Sequence, residues 1–299
     1  MLAIDGLEAK LVERWKLKTY MQKYHGIHDV TIAVRKGEPL YTPLIWTSFL
    51  LGEPSYRYNF TMKEIRIKRE AVGYGFLTPL YKFRLKILGK RNLGIRNLLT
   101  KLGIYNLKKV AESLYNIESL PLNIREKTIV EELRRKGYKV WCSEFPGLGD
   151  PYPAKIRATF SRYFNVDLKK RKELLEEVYK HDLEVLRKAT YAVEKNDCTF
   201  CYIVSIDIAN HMFYRPKNIK SMISLARYYK GLAMNIKKMI MAKNYSLAIL
   251  IVSDHGYDPN IHNHSTYGFW SLNIKISITP KTILDFRNMI LNLVENKIE

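Results

Sequence analysis

Apolar positions follow two rhythms along this chain. Short, mostly apolar runs at Met1–Ile4, Val30–Val34, Tyr138–Cys142, Phe200–Ile206 and Leu247–Val252 read as strands buried on both faces. Between them, apolar residues recur every three or four positions, as on one face of a helix. Leu7 to about Lys23 carries Leu7, Leu11 and Trp15 in this spacing, and Arg125–Lys136 is a second such segment, stopped by Gly137. A long charged helix, capped by Asp167, turns Leu174, Leu175, Val178, Val185, Leu186 and Ala189 inward. Ile219–Met241 does the same with Met222, Leu225, Tyr229, Leu232, Ile236 and Met239. Thr42 and Pro43 precede the apolar run Leu44–Leu51, which Gly52 closes, so Thr42 is expected as the N-cap of a short buried helix. Helices alternating with apolar strands predict an α/β fold, a largely parallel central sheet covered on both faces.

The alternation lapses over residues 56–122, which are basic, aromatic and helical in pieces. They read as an insertion, a lid, within one domain spanning 1–299. Formal charge is +21, and residues 63–109 hold thirteen Lys or Arg against Glu64 and Glu70 alone. Such a segment attracts polyanions: an anionic phosphoester substrate, nucleic acid or an anionic lipid surface. No apolar run approaches the roughly 18 residues that span a bilayer. Met1–Gly6 reads as a core strand rather than a secretion leader, so the cytoplasm is the expected compartment. Cys142, Cys198 and Cys201 are too few for a disulfide framework and are expected to be inert thiols.

Three predicted strands end in groups able to bind metal. Asp5 follows Met1–Ile4, Asp207 follows Phe200–Ile206, and Asp254 with His255 follows Leu247–Val252. Open α/β sheets place their ligands beyond the carboxyl ends of the strands, where these side chains would meet. His211 stands four residues after Asp207, on the same side of a helical turn or tight loop, and His264 follows a short polar loop. His262 alternates with His264 and is the competing candidate; Thr47 and Ser48 compete with Thr42 as a reactive hydroxyl. His25, His28 and His181 read as surface or structural residues, and Asn210 and Asn263 are near enough to the candidate ligands to donate to a phosphate.

The order Asp5-Gly6, Thr42-Pro43-Leu44-Ile45-Trp46-Thr47-Ser48, Asp207-x-x-x-His211, Ser253-Asp254-His255-Gly256 and His264-x-x-x-Gly268 resembles the type I phosphodiesterase/nucleotide pyrophosphatase branch of the alkaline phosphatase superfamily. The resemblance implies an alkaline phosphatase-like three-layer sandwich and two divalent metal ions, zinc in first place and manganese in second. It implies that Asp5, Thr42, Asp254 and His255 hold one ion, that Asp207, His211 and His264 hold the other, and that Thr42 is the nucleophile of a phosphodiester or nucleotide pyrophosphate hydrolase. Charge supports this set independently, since three carboxylates and a threonine alkoxide balance two dications. The same site could serve a phosphomonoester, and the basic segment alone would suit a non-catalytic polyanion-binding scaffold.

Overall fold

The computed structural model of the protein describes residues 1–88, 99–100, 102–103, 105–148, 152, 156, 168–241, 247–276 and 279–295. Its strands are β1 (Leu2–Ile4), β2 (Tyr24–Asp29), β3 (Val140–Ser143), β4 (Cys198–Ile203), β5 (Leu250–Val252), β6 (Tyr257–Asp258), β7 (Asn263–His264) and β8 (Tyr267–Leu272). Its helices are α1 (Ala9–Arg14), α2 (Thr42–Leu51), α3 (Met62–Tyr74), α4 (Thr78–Leu88), α5 (Leu107–Glu112), α6 (Leu114–Glu118), α7 (Leu122–Arg125), α8 (Ile129–Arg135), α9 (Leu168–Val193), α10 (Ser205–Phe213), α11 (Ile219–Ile236) and α12 (Asp285–Glu295).

A six-stranded sheet runs in the order β2-β8-β5-β1-β4-β3, and β6 and β7 form a separate hairpin. β1 pairs in parallel with both β4 and β5, and β3 pairs in parallel with β4. β8 lies antiparallel to β5, and β2 antiparallel to β8. The sheet is therefore largely parallel. Every residue of β1 and β5 is buried, as the uninterrupted apolar runs required. Helices α9, α10 and α11 pack on one another, with α9 along β4; α2, α8 and α12 form a second pack, with α8 against β3. The two packs flank the sheet in the expected three-layer arrangement. Trp46 of α2 meets Phe49, Phe145 and Tyr202 edge-on, at ring separations of 5.3, 5.1 and 6.0 Å, and so fastens α2 to β4. Among the described residues no helix is long and apolar enough to cross a membrane.

Several local expectations are corrected. The helix expected over Leu7–Lys23 is only α1, because Lys16 turns into the left-handed region at φ 49° and the chain leaves the helix. Val30–Val34 is no strand: Thr31–Ala33 is a 3₁₀ turn, and the strand is the preceding Tyr24–Asp29 at the edge of the sheet. The helix expected over Arg125–Lys136 is α8, which begins only at Ile129; Arg125 instead closes the preceding α7. Ser205 and Ile206 belong to α10 rather than to a strand, so Asp207 sits in a helical first turn and not at a strand end. Asp167, the expected cap of α9, lies outside the described residues, as do residues 89–98 of the basic segment. The described remainder of 56–122 is largely helical; Tyr74, Tyr105 and Val110 form a cluster within it, whereas Phe60, Ile65, Ile117 and Leu120 pack together with Val34, Leu44 and Leu51. All three cysteines are free, and burial pushes Cys142 and Cys201 up to about 12, which keeps them as inert thiols.

The turn that delivers α10 is held by Asp182 of α9, whose Oδ2 accepts the N–H groups of Val204 and Ser205 at 3.1 and 2.7 Å. Asp182 is buried, and burial outweighs the hydrogen bonds from Ser205 and Val204 to push its carboxyl up to about 7. A folded-state value above the ordinary one means stability is retained below the ordinary carboxylate range and lost as pH rises through about 7. Asp182→Asn keeps the acceptor without the charge. Its melting temperature relative to wild type should therefore climb between about pH 5 and about pH 8 in scanning calorimetry; a constant difference would contradict the assignment.

Candidate metal centre

The strand register brings the carboxyl ends of β1, β4 and β5 to one level, with Ile4 opposite Ile203 and Ala3 opposite Val252. Asp5, the turn into α10, and Ser253-Asp254-His255 therefore emerge side by side. The Asp5 N–H donates to the Ile203 carbonyl at 2.9 Å, and the Leu7 N–H donates to Ser253 Oγ at 2.9 Å. Gly6 makes the turn between them at φ 69°. A Cβ there would stand 2.8 Å from Cα, Cβ and Oδ1 of Asp207, so only glycine lets Asp5 and Asp207 approach across this gap.

Two groups of possible metal ligands result, Asp5 with Asp254 and His255, and Asp207 with His211 and His264; within each, the ligand atoms lie within 4.8 Å of one another. The first group is fully buried. His255 Nε2 lies 3.2 Å from Asp5 Oδ1 and 3.4 Å from Asp254 Oδ2, while its Nδ1 donates to the Gly256 carbonyl at 2.9 Å. That bond fixes the ring so that Nε2 faces the carboxylates. In the second group, α10 sets Asp207 and His211 one turn apart, with His211 Nε2 3.5 Å from Asp207 Oδ1. His264 comes from β7, whose hairpin pairs it with Tyr257. The groups adjoin: the His264 ring stacks on His255 at 3.6 Å and lies 5.6 Å from His211.

Thr42 completes the first group, its Oγ1 3.4 Å from His255 Nε2. It is the first residue of α2 and not its cap, which is Tyr41, so its hydroxyl is not spent on the backbone of its own helix. Thr47 and Ser48, the competing hydroxyls, donate to the carbonyls of Pro43 and Leu44 at 2.6 and 2.9 Å in the middle of α2. The first turn of α2 offers a phosphate few backbone donors, because Pro43 has no N–H and those of Leu44 and Ile45 go to the Tyr41 carbonyl. Tyr41 also donates to the buried Glu118 and accepts from Arg69 at 3.4 Å, tying α3 and α6 to the residue beside Thr42.

The remaining candidates fall outside these groups. His262, at φ 51°, is exposed in the hairpin turn. His25 is exposed; His28 is buried against Phe286; His181 pairs with Glu144 at 2.5 Å. Asn263 accepts the N–H of His264, and Asn210 is buried with its Nδ2 on the Gly6 carbonyl at 2.6 Å and its Oδ1 accepting from Tyr229 at 3.0 Å. Asn210 thus pins the Gly6 turn to α10 through one of its two amide N–H groups.

Two supporting residues were missed by sequence reasoning. Tyr202, in β4, donates to Asp5 Oδ2 and orients that carboxylate. Glu8, wholly buried, accepts from Lys10 N–H at 3.0 Å, Tyr257 N–H at 2.7 Å and the Tyr267 hydroxyl at 2.7 Å, so it staples the β6–β7 hairpin and hence His264 to the start of α1. Neither carries a sequence signal, since Tyr202 sits in an apolar run and Glu8 in an ordinary helical start.

The donors fit divalent cations. Asp5 Oδ1 and Asp254 Oδ2 are buried with the His255 imidazole as their shared neighbour, and His264 Nδ1 is buried with no hydrogen-bond partner among the described residues, a costly condition unless something else satisfies these atoms. Burial and the charge of Asp5 raise Asp254 well above the usual carboxylate range. Burial alone would lower His255, yet the charge of Asp254 and the hydrogen bond and charge of Asp5 carry it up to about 10. Burial and the neighbouring His255 and His211 push His264 well down, leaving it a neutral imidazole. A pocket that protonates one histidine between two carboxylates and keeps another neutral calls for positive charge. Mixed imidazole and carboxylate donors suit zinc first and manganese second, whereas magnesium prefers oxygen and water.

The family model for type I phosphodiesterase/nucleotide pyrophosphatase matches residues 100–271. Comparison with curated proteins and with solved structures gives no match. The family match includes Asp207, His211, Asp254, His255 and His264 but begins after Asp5 and Thr42, which the fold alone brings to the same sheet edge. The matched span is more than half of the chain, and the protein belongs to the type I phosphodiesterase/nucleotide pyrophosphatase family of hydrolases, within the alkaline phosphatase superfamily.

Proposed function

We propose that the protein hydrolyses phosphodiester or nucleotide pyrophosphate bonds with Thr42 as nucleophile, Asp5, Thr42, Asp254 and His255 holding one divalent ion and Asp207, His211 and His264 holding a second. The observation that supports this most is the adjoining pair of ligand groups, with the Thr42 hydroxyl beside His255. Bound there, two dications, zinc or else manganese, would neutralise the carboxylates and stabilise the attacking and departing oxygens of an in-line displacement at phosphorus.

The chain's own residues divide the work. Thr42 Oγ forms a new bond to phosphorus as the bond from phosphorus to the departing oxygen breaks; the threonine proton is lost and the departing group takes up one. Water then attacks the phosphothreonine, the P–Oγ bond breaks, and Thr42 recovers its proton. Trp46, Phe49 and Phe145 hold α2 against the sheet, so that the hydroxyl is presented at a fixed point. Tyr202, Asn210 and Glu8 keep the Asp5 carboxylate, the Gly6 turn and the β6–β7 hairpin in register. The basic segment over 56–122 would serve as a lid that draws in anionic substrate.

Hydrolysis of bis-p-nitrophenyl phosphate and p-nitrophenyl phosphate, with zinc or manganese restored after chelation, tests this reading. Wild type should turn over the diester faster than the monoester and only with metal. Thr42→Ala should retain metal and lose about a thousandfold or more in kcat. Unchanged turnover in Thr42→Ala would remove the covalent step, and a preference for the monoester would make the enzyme a phosphatase.

Metal affinity should also depend on pH. An ion approaching His255 Nε2 must displace a proton held with a pKa of about 10. Zinc affinity should thus rise by about tenfold or more per unit between roughly pH 6 and pH 8, measured by competition with a chromophoric chelator. An affinity flat over that range would place the ion elsewhere.

A further inference from the structure

Residues 63–109, besides being basic, present large apolar side chains to solvent. Phe76 is 89% exposed, Leu80 64% and Phe83 62%, with Leu102 at 62% on the neighbouring turn. The spacing of four and then three residues puts Phe76, Leu80 and Phe83 along one side of α4 and the turn that leads into it. This is not a helix lacking a core. Its other side is anchored by Tyr81, stacked on Tyr74 at 4.7 Å, and Tyr74 in turn meets Tyr105 edge-on at 4.9 Å. Among the described residues, α11 also exposes Ile219, Ile223 and Met234, and Ile261 stands alone in the hairpin turn, but none of these is a phenylalanine and none lies in the basic segment. Single exposed apolar residues need no explanation, but a row of them does.

The charges around this row decide what fits it. Lys63, Arg66, Lys68, Lys86 and Lys109 are exposed in the same segment, and of its two acids Glu70 is buried. Nucleic acid would use the cations and stack bases on Phe76 and Phe83, but it has no use for Leu80 and Leu102, which offer no ring. Apolar side chains that protrude from a convex helix, flanked by Lys and Arg, match the boundary between acyl chains and headgroups of an anionic bilayer.

We propose that α4 and its preceding turn dock the protein on anionic lipid surfaces, with Phe76, Leu80 and Phe83 entering the interface and the surrounding cations meeting the headgroups. Docking of this kind would keep the hydrolase at a surface where phosphodiesters are concentrated. The inference rests on the surface and not on the reaction, and its test reads binding alone.

The test is sedimentation of the full-length protein with phosphatidylcholine vesicles, with and without a quarter of phosphatidylserine. Wild type should sediment with the anionic vesicles and lose binding as salt is raised. The triple variant Phe76→Ser, Leu80→Ser, Phe83→Ser, folded by circular dichroism, should bind about tenfold or more weakly. A control carrying Ile219→Ser and Met234→Ser should bind as wild type does. Absence of wild-type binding would overturn the proposal. So would a triple variant that binds like wild type, or vesicle binding that the control loses equally. If a single-stranded oligonucleotide bound tightly while anionic vesicles did not, the face would belong to nucleic acid instead.

Discussion

Two carboxylates, Asp5 and Asp254, are buried at the same edge of one sheet and face the same imidazole nitrogen. Like charges so placed repel, and low polarity around them magnifies the repulsion. Without a dication the relief comes from protons, with both Asp254 and His255 pushed up by burial or by the neighbouring carboxylates, and protons there leave the adjoining Asp207 group untouched. Everything around the site is arranged to keep this unfavourable meeting in place. It is the condition on which the proposed metal binding at this edge, and the proposed phosphoryl transfer through Thr42, rest.

The scaffold enforces the meeting from several directions at once. Parallel pairing of β1 with β4 and β5 sets the level of the three chain ends, and Gly6 removes the one side chain that would hold Asp5 apart from Asp207. Buried hydrogen bonds then lock the pieces: Asn210 to Gly6, Tyr229 to Asn210, Tyr202 to Asp5, Glu8 to Tyr257 and Tyr267, and Asp182 to the start of α10. A network of satisfied buried polar groups specifies one geometry, because each broken link leaves a desolvated partner behind. The Tyr41 and Glu118 contact extends this control into the helical segment that carries the basic and apolar surface of α4. The proposed docking surface and the proposed nucleophile Thr42 are thereby joined by a short chain of residues.

How much of this was legible in the sequence depended on whether local and tertiary signals agreed. Asp5 and Asp254 each follow a short apolar run, and both runs are strands, so their convergence could be read directly. Asp207 reads as a strand end because Val204 and Ile206 continue the apolar run of β4, whereas Val204 caps α10 and Ile206 is buried within it. β2 was misplaced because an edge strand with alternating exposure, Tyr24–Asp29, is more polar than the turn after it. β8 was missed: Tyr267–Leu272 begins beside a glycine and follows the His264 loop without a break in pattern. α1 reads as longer than it is because no glycine or proline marks its end; Lys16 bends the chain alone. Glu8, Tyr202 and Asn210 owe their importance to partners 197 to 259 residues away in sequence, which no local pattern contains.

If the two adjoining ligand groups hold two metal ions with Thr42 at the first, anomalous diffraction at the zinc edge, from crystals grown with zinc, should show two peaks. One should lie within bonding distance of Asp5, Asp254, His255 and Thr42, and the other of Asp207, His211 and His264. A single peak, or peaks ligated by His262 or by the cysteines, would contradict that arrangement.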